Sequence, residues 1–454
     1  MPNSEIMQIR RQVLQSALKW SRDGRNAKDR TTLAKEIIPE GSPRYRCCIH
    51  KERAVVEERL TAILDPDDGP VVRVLKEGCN GCEMHRYVVT DRCQNCVGHF
   101  CSVNCPKKTI LFINNKAFID QKSCVECGLC AKNCPYHAIL ELRRPCEESC
   151  PTKAISVREN RIASIQDEHC TSCGKCIVHC PFGAVVDTSQ LVNLAQEIDQ
   201  QNHNIYAVIA PAFVGQFGRK VAPGQVKSAL LELGFKDVLE AALGADKTIE
   251  LESEEYKERS AHGHQLMTSS CCPAYVYAVE KEKPDLASYI STTQSPMAQV
   301  SKIIKLNNPD AKVAFIGPCI AKKEEGKNPE VSVDFVITFE ELLVWMEFEG
   351  INPAEKPNLL MEGPSSFARE FAKAGGVANA LRAYLGENSP PTHQAEGIQN
   401  CLKALETYAN NNEQGFLECM ACEGGCVGGP RTMIARPVAE RAVKDFALTS
   451  NSKA

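Results

Sequence analysis

Two short stretches of the chain each carry four closely spaced cysteines. They read CVECGLCAKNCP from residue 124 and CTSCGKCIVHCP from residue 170, and both follow the pattern C-x2-C-x2-C-x3-C-P. This is the bacterial spacing for a [4Fe–4S] cluster, in which the fourth cysteine usually binds the other cluster of a pair. Zinc sites use separated cysteine pairs rather than this dense pattern. The stretches therefore predict iron–sulfur clusters held by Cys124, Cys127, Cys130, Cys134, Cys170, Cys173, Cys176 and Cys180.

A longer-gapped stretch, CQNCVGHFCSVNCP, and a fragment, CEESCP, precede these two motifs and reveal an internal repeat. From Cys105 the chain reads CPKKTILFINNKAFIDQKSC, and from Cys150 it reads CPTKAISVRENRIASIQDEHC. The two connections differ in length by one residue. The repeat predicts two ferredoxin-like modules in tandem, at residues 93–134 and 146–180, within an iron–sulfur domain at 76–190.

The repeat also predicts how the cysteines are shared among clusters. Three ligand sets are complete: Cys93, Cys96, Cys101 with Cys134; Cys124, Cys127, Cys130 with Cys105; and Cys170, Cys173, Cys176 with Cys150. Cys146 and Cys180 lack two partners, and the upstream pair Cys79 and Cys82 would complete a fourth set. The alternative is that this upstream pair binds nothing or a different metal. Four clusters in one region would form a chain along which electrons are transferred.

Composition places these motifs in an ordinary globular chain. The protein has 454 residues, 25 cysteines, 43% hydrophobic residues and a net charge of −4. A general nucleic-acid binder would usually be strongly basic. No apolar run reaches the roughly 18 residues of a membrane span, and the N-terminus lacks a signal-peptide pattern. We therefore expect a soluble, cytoplasmic protein in which clustered cysteines bind metal rather than form disulfides.

The segment 1–75 is less informative. Ile6, Ile9, Val13, Ala17 and Trp20 recur at helical spacing and predict an amphipathic helix over 4–21 that docks onto the next domain. Three further groups could be metal ligands but lack a fourth partner, and these are Cys47, Cys48 and His50.

From about residue 205 the pattern changes to strand-then-helix units. IYAVIAPAF, KVAFIGPCIAKKEE and DFVITFEELLVWMEF each join an apolar strand to a loop or a helix. They predict an α/β architecture with the site on loops at strand ends. The remaining cysteines lie mainly in TSSCCPAY, GPCIAKKEE and ECMACEGGCVGGP. Glycines 424, 425, 428 and 429 are expected to let the backbone approach a bulky ligand.

These three cysteine segments resemble the three signature segments of [FeFe]-hydrogenases, T-S-C-C-P-x-W, M-P-C-x-x-K-x-x-E and E-x-M-x-C-x-G-G-C. The resemblance covers about residues 200–435, followed by a tail at 436–454, and the iron–sulfur modules precede it as in that family. It implies an α/β catalytic domain with two lobes around the cluster, preceded by α+β ferredoxin-like modules.

The resemblance also implies an active site. Cys272, Cys319, Cys422 and Cys426 match the ligands of a special cubane, and Cys426 matches the cysteine that bridges to a two-iron subsite with CO, cyanide and a dithiolate. Three further matches line that subsite: Lys322 beside a cyanide, Cys271 beside the bridging amine, and Met420 in the pocket. Pro211 and Ala212 of the APAF segment are expected beside the subsite. A solvated surface position is the alternative for Lys322.

A proton path is implied by a further match, since DKTIELESEEYKER resembles the family's proton-path segment. Glu252, Glu255 and Arg259 would share one face of a helix. The alternative interpretation is that this face is exposed to solvent and forms surface salt bridges. With Ser291 of YISTTQSPMAQ, the match predicts a path from the surface through Arg259, Glu255, Ser291 and Glu252 to Cys271.

Several positions depart from the family pattern. Gly317 replaces a pocket methionine, Tyr275 a tryptophan, Ala321 a small polar residue and Ala212 a serine, and the last glycine run is short. These departures indicate the less-studied second group of the family. They alter the polar surroundings of the cluster and hence its potential and catalytic bias.

The resemblance implies an enzyme for 2H⁺ + 2e⁻ ⇌ H₂ that uses a ferredoxin or another iron–sulfur carrier and needs hydrogenase maturation proteins. The alternatives are a non-catalytic, hydrogenase-like assembly factor and a low-turnover H₂ sensor. No nucleic-acid or membrane partner is expected. Cys401 and Cys419 are interpreted as packing residues.

Overall fold

The computed structural model describes residues 5–24, 29–65, 69–80, 82, 85–157, 162–200, 204–263, 266–361 and 363–450. No helix within these ranges is long and apolar enough to cross a membrane. The first elements are three helices: α1 (Glu5–Arg22), α2 (Arg30–Ile37) and α3 (Ile49–Leu64).

The apolar face of α1 is buried against the large C-terminal region of the chain. Val13, Leu14 and Ala17 are among its buried residues, and they belong to the same hydrophobic core as the largest sheet. The predicted helix over 4–21 is thus confirmed over the described residues, while residue 4 lies outside them. The N-terminal helices complete this core rather than forming a separate unit.

The cysteine-rich region consists of short strands and helical turns. In chain order they are β1 (Val72–Val74), α4 (Lys76–Cys79), β2 (Tyr87–Val89), α5 (Phe100–Val103), β3 (Ile110–Ile113), β4 (Lys116–Ile119), α6 (Leu129–Lys132), β5 (Ile139–Glu141), α7 (Pro145–Glu148), β6 (Ile155–Val157), β7 (Ala163–Ile165), α8 (Lys175–His179) and β8 (Val185–Asp187).

The pairing of these strands corrects the prediction of tandem modules. β2 pairs with β5 and β3 with β4, which closes one module within residues 87–141. β6 pairs with β7, whereas β1 pairs with β8 across the whole first module. The first module is therefore inserted into the second. The second module begins at β1, before the predicted boundary at residue 76, because its first strand precedes Cys79.

The remaining chain is built of alternating helices and parallel strands. In chain order they are α9 (Leu191–Asp199), β9 (Ile205–Ile209), α10 (Pro223–Glu232), β10 (Asp237–Glu240), α11 (Ala242–Ala261), β11 (Leu266–Thr268), α12 (Pro273–Glu282), α13 (Pro296–Asn307), β12 (Lys312–Gly317), α14 (Ala321–Glu325), β13 (Phe335–Thr338), α15 (Phe339–Phe348), α16 (Ser366–Glu370), α17 (Gly376–Leu385), β14 (Thr392–Glu396), α18 (Ile398–Asn410), β15 (Gly415–Met420) and α19 (Arg436–Ala447).

Two parallel sheets organise this α/β region, as the sequence predicts. One has the strand order β10-β9-β12-β13 and the other the order β11-β15-β14. The predicted C-terminal tail is wrong for residues 436–447, because α19 is a helix whose Ala439 and Val443 are buried in the main core.

A buried cluster of charges joins the N-terminal helices and the second module to the α/β region. Lys323 lies 2.8 Å from Asp187 of β8 and 3.0 Å from Glu341 of α15. Arg10 of α1 lies 3.0 Å from the same Asp187. Removing one member would leave a buried charge uncompensated, so the cluster specifies how these parts dock. Its six members are Arg10, Lys323, Arg431, Asp187, Glu340 and Glu341.

Two glycines of the third cysteine segment lie tightly against protein backbone. Gly425 has φ +80°, and a Cβ there would lie 2.7 Å from the backbone nitrogen of Ala374. A Cβ on Gly428 would clash with the carbonyl oxygen of Glu423. At these two positions the absent side chains make room for protein backbone, because the loop folds against its neighbours.

Candidate functional site

Four cysteines of the α/β region meet where strands from both sheets end. Cys272 follows β11, Cys319 follows β12, and the loop after β15 carries Cys422 and Cys426. Burial, with a smaller contribution from the nearby thiol of Cys426, raises the pKa of Cys272 and of Cys319 to about 12. The carboxyl ends of parallel strands are where α/β folds place their ligands. Four converging soft thiol ligands suit an iron–sulfur cluster.

The spacing of these groups does not suit a single metal ion. Within the described ranges, no three His, Cys, Asp or Glu side chains converge closely enough to bind one ion. Cys47, Cys48 and His50 are likewise not placed to bind a single ion. A cubane requires wider spacing, because its four thiolates surround an inorganic core rather than one atom.

In the cysteine-rich region, two predicted ligand sets each line a cavity. One cavity is bordered by the thiol-bearing residues Cys105, Cys124, Cys127 and Cys130. The other is bordered by Cys150, Cys170, Cys173 and Cys176. The tertiary fold thus brings together the cysteines that the repeat groups in sequence.

The same turn follows each of four Cys-Pro dipeptides. The backbone N–H four residues after the cysteine donates to its sulfur, at 3.4 Å from Thr109 to Cys105 and at 3.2 Å from Ala184 to Cys180. The same bond links Ala138 to Cys134 and Ala154 to Cys150. N–H groups aimed at sulfur favour the thiolate that a cluster requires.

Two remaining ligand sets occupy equivalent places in the two modules. The N–H of Ala117 in β4 donates to Cys93, and that of Ala163 in β7 donates to Cys79. Cys79 therefore stands in the second module where Cys93 stands in the first, and Cys82 corresponds to Cys96 in the loop before α5.

Electrostatic contacts group the thiols in the same way. Burial raises the pKa of Cys101, and Cys134 and Cys93 add to the shift. Burial also raises the pKa of Cys146 to about 11, with further contributions from Cys180 and Cys79. The upstream pair thus lies with the two cysteines that it was predicted to complete.

We expect the matured protein to contain about 22 iron atoms per chain, from five cubanes and one two-iron subsite. A double change, Cys79→Ser with Cys82→Ser, should lower the content by about four, because it removes half of one ligand set. Metal analysis of anaerobically purified protein measures this. Cys47→Ser with Cys48→Ser is the matched control and should lose no iron. An unchanged iron content in the first variant would exclude the fourth accessory cluster.

Lys322 extends from the helix after Cys319 into the same pocket. Its Nζ lies 2.8 Å from the Ser295 hydroxyl and 2.6 Å from Glu325. Burial opposes its charge, but Glu325 and the thiols of Cys319 and Cys271 hold its pKa above the ordinary value. The pocket therefore contains a buried ammonium group beside the cysteines, not a solvated surface lysine.

Cys271 lies near the same cysteines, next to a buried carboxyl group. Burial raises the pKa of Cys271 well above its ordinary value, and Glu252 is the next largest cause. Glu252 accepts hydrogen bonds from the backbone N–H and the hydroxyl of Ser270, at 3.0 and 3.1 Å. Its other oxygen is buried and makes no hydrogen bond within the described part of the chain. Burial raises the pKa of Glu252 to about 7.

The predicted path continues outward from Glu252 along α11, which is helical as expected. The Ser291 hydroxyl donates to Glu255 at 2.6 Å and also lowers the pKa of Glu252. Arg259 donates to Glu255 at 2.6 Å. Burial opposes the charge of Glu255, but its hydrogen bonds with Ser291 and Thr292 and the charge of Arg259 hold its pKa below the ordinary value. Hydrogen bonds therefore join Arg259, Glu255 and Ser291, whereas Glu252 and Cys271 are related to this group only by their effects on each other's pKa.

The remaining predicted pocket residues also lie at these strand ends. Pro211 and Ala212 form a turn directly after β9, and Met420 is the last residue of β15. A Cβ on Gly317 would lie 2.7 Å from the ring of Phe315, which fills the space beside this position. The Tyr275 hydroxyl donates to Thr268 at 3.0 Å.

Sequence reasoning missed several polar partners. Ser270 and Ser295 hold Glu252 and Lys322, and no spacing rule points to either residue. Glu418 accepts from the N–H groups of Gly375 and Ala378 at the start of α17, both at 2.8 Å. The one signal in the sequence is that glutamates recur within the cysteine segments. Glu325 forms an ion pair with Lys322, and Glu418 caps the start of α17.

Known proteins share both parts of this architecture. The C-terminal domain of the iron-only hydrogenase large subunit matches residues 203–430, which is half of the chain. A 4Fe-4S binding domain matches residues 117–140, and the LdpA Fe-S cluster-binding domain matches residues 140–191. The chain is therefore an iron–sulfur protein.

Curated relatives fall into two kinds. The NADP-reducing hydrogenase subunit HndD of Solidesulfovibrio fructosivorans is 28% identical over 284 residues, 48% of each chain. The cytosolic Fe-S cluster assembly factor NAR1 of Encephalitozoon cuniculi is 23% identical over 199 residues, 39% of this chain and 54% of that protein. The chain spans about half the length of the curated relatives it matches.

Among solved structures, a variant of [FeFe]-hydrogenase HydA1 from Chlamydomonas reinhardtii is similar, with a TM-score of 0.48 and 21% identity. The match covers 57% of this chain and 88% of that one. The domain match over residues 203–430 covers both sheets and all four strand-end cysteines, and through it the chain belongs to the iron-only hydrogenase large-subunit family.

Proposed function

We propose that this protein is an [FeFe]-hydrogenase that catalyses 2H⁺ + 2e⁻ ⇌ H₂. One observation carries the proposal: polar groups lie between the protein surface and the four-cysteine pocket. Hydrogen bonds join Arg259, Glu255 and Ser291, and the buried Glu252 in turn raises the pKa of the Cys271 thiol. A plain cubane has no need of a buried path for protons. A reaction that consumes or releases protons at a buried site does.

The four strand-end cysteines would hold a cubane, and Cys426 would also hold the two-iron subsite with CO, cyanide and a dithiolate. When bound, this group supplies the iron centre at which H₂ is formed or split. Lys322 would donate to an anionic cyanide, because its ammonium is buried and charged in the pocket. Pro211, Ala212 and Met420 would line the space around the subsite.

On the proton side, Cys271 would exchange a proton with the reacting centre. Its raised pKa keeps the thiol protonated at neutral pH, so it can donate. Glu252, with a pKa of about 7, can replace that proton or accept it in the reverse direction. Ser291 would link the two carboxyl groups, and Arg259 would hold Glu255 at the mouth of the path.

On the electron side, the accessory clusters would lead to the catalytic pocket. The thiol of Cys173 packs in the same apolar cluster as Cys272 and Cys319, and it interacts electrostatically with Cys422. A cluster held by Cys150, Cys170, Cys173 and Cys176 would thus be the last relay. A ferredoxin or another iron–sulfur carrier is the proposed partner, and maturation proteins would insert the two-iron subsite.

The NAR1 relatives support a second candidate, a non-catalytic iron–sulfur assembly factor. Infrared spectroscopy of the matured protein separates the two. Bands of bound CO and cyanide together with H₂ turnover from a reduced viologen dye are expected for the enzyme. A protein with all its cubanes but no such bands would instead be an assembly factor. Bands with barely measurable turnover would identify the H₂ sensor.

We expect Lys322→Ala to lower the occupancy of the two-iron subsite by tenfold or more while the cubanes remain. Hydrogen bonds to charged groups contribute about 1.5–3 kcal/mol, and the variant loses such a donor to an anionic ligand. Infrared band intensity per cubane measures the occupancy. Lys327→Ala, which changes an exposed lysine of the same segment, is the control. Full band intensity in Lys322→Ala would contradict the assigned role.

A further inference from the structure

The nested repeat places two different residues at one equivalent position of the two modules. His99 directly precedes α5 and Arg144 directly precedes α7. In the first module the His99 ring stacks on Phe112, with ring centroids 3.7 Å apart. In the second module the guanidinium of Arg144 instead donates through Nη1 to the sulfur of Cys79 at 3.4 Å.

Arg144 interacts electrostatically with more than one thiol of the ligand set Cys79, Cys82, Cys146 and Cys180. Burial raises the pKa of Cys82 and of Cys146, and the charge of Arg144 opposes both shifts. Arg144 itself is only 4% exposed. Cys79 also accepts the backbone N–H of Ala163, the same bond that Cys93 accepts from Ala117 in the first module. At this position the second ligand set therefore has a buried cation where the first has a histidine ring. Arg59, also buried, interacts electrostatically with Cys180 of the same set.

Reduction adds one negative charge to a cubane and its thiolates, from [4Fe–4S]²⁺ to [4Fe–4S]⁺. Nearby positive charge and hydrogen bonds to sulfur stabilise the reduced form and raise the potential. Charge interactions are strongest away from water, and an arginine stays protonated there.

We propose that Arg144 raises the reduction potential of the cluster held by Cys79, Cys82, Cys146 and Cys180 above that of its counterpart held by Cys93, Cys96, Cys101 and Cys134. The inference rests on the cluster assignment within the proposed function. It makes Arg144 a residue that sets a potential rather than a catalytic residue.

The position of this cluster indicates how a raised reduction potential would be used in electron transfer. Cys146 interacts electrostatically with Cys176, so the set lies beside the one proposed as the last relay before the catalytic pocket. Formation of H₂ consumes two electrons, whereas each cubane carries one. The cluster beside Arg144 is reduced before its counterpart and lies one relay from the pocket. It can therefore store the second electron that H₂ formation requires.

The test is a redox titration of the full chain, followed by electron paramagnetic resonance, with the cubanes present but before the two-iron subsite is inserted. In Arg144→Gln, one reduction step should move to lower potential by about tenfold in its equilibrium constant, about 59 mV for one electron. The same step should be missing from the variant Cys79→Ser with Cys82→Ser. His99→Gln and the exposed neighbour Arg143→Gln are matched controls and should leave it in place.

Unchanged steps in Arg144→Gln with full iron content would overturn the proposal. If that variant loses four irons, Arg144→Met, an uncharged side chain of similar length, replaces it, and the step should move in the same direction. A step at the parent's potential in Arg144→Met with full iron content would then overturn the proposal. Absence of H₂ turnover in the parent would count against the proposed function and leave this result unaffected.

Discussion

Replacing Cys271 with alanine is expected to lower H₂ turnover by about 10²-fold or more, the low end for losing a general acid–base group. The thiol interacts electrostatically with Glu252 and with Cys272 and Cys426 of the pocket, so the variant would break the last step of the proposed proton path. Iron content and the CO and cyanide bands should remain, because Cys272 and not Cys271 is the proposed ligand. Turnover with a reduced viologen dye, normalised to band intensity, measures the effect.

Two further variants test whether the loss of turnover comes from proton transfer by Cys271. Cys271→Asp should keep more activity than Cys271→Ala, because a carboxyl group can still transfer a proton. Cys401→Ala removes another buried thiol, one that donates to the carbonyl of Ala395, and should leave turnover per cluster unchanged. Parent-like turnover in both Cys271 variants would mean that protons reach the pocket by another path.

Glu252→Gln should lower turnover by a similar factor, about 10²-fold or more. The amide oxygen can still accept the Ser270 N–H bond, but the side chain can no longer gain or lose a proton. Glu254→Gln changes an exposed glutamate of the same helix and is the matched control. Turnover of both variants in both directions is the measurement.

The pH profile provides a second readout for the same residue. Burial raises the pKa of Glu252 to about 7, so the group is a neutral acid below that pH and a carboxylate above it. H₂ formation needs the protonated form of Glu252 and H₂ oxidation needs the carboxylate. As pH increases through about 7, H₂ formation should therefore decline and H₂ oxidation should rise. The inflection should disappear in Glu252→Gln. An inflection that persists there would assign it to a different group.

Much of the chemistry could be predicted from the sequence, because the signals are local. Cluster motifs place several ligands within about eleven residues, so their spacing survives any arrangement of the rest of the chain. The helix with Glu252 and Glu255 and the strand before Cys319 are equally local, since the pattern of apolar and polar residues within each segment indicates the element.

Contacts between distant segments could not be predicted in this way. The pairing of β1 with β8 makes the modules nested, and it depends on which strand lies beside which in space. Arg144 meets Cys79 across 65 residues, and Ser295 meets Lys322 across 27. Lys323 stands beside Lys322 in the same motif, yet it turns to the buried Asp187.

The sequence by itself determined the kinds of ligands, their local spacing and the alternation of strands and helices. Only the tertiary structure decided that the modules are nested, that Lys323 turns to Asp187 and that Arg144 lies beside a cluster. The reason is physical: the burial that shifts the pKa values of Glu252 and Cys271 comes from residues packed around them, which no local pattern specifies.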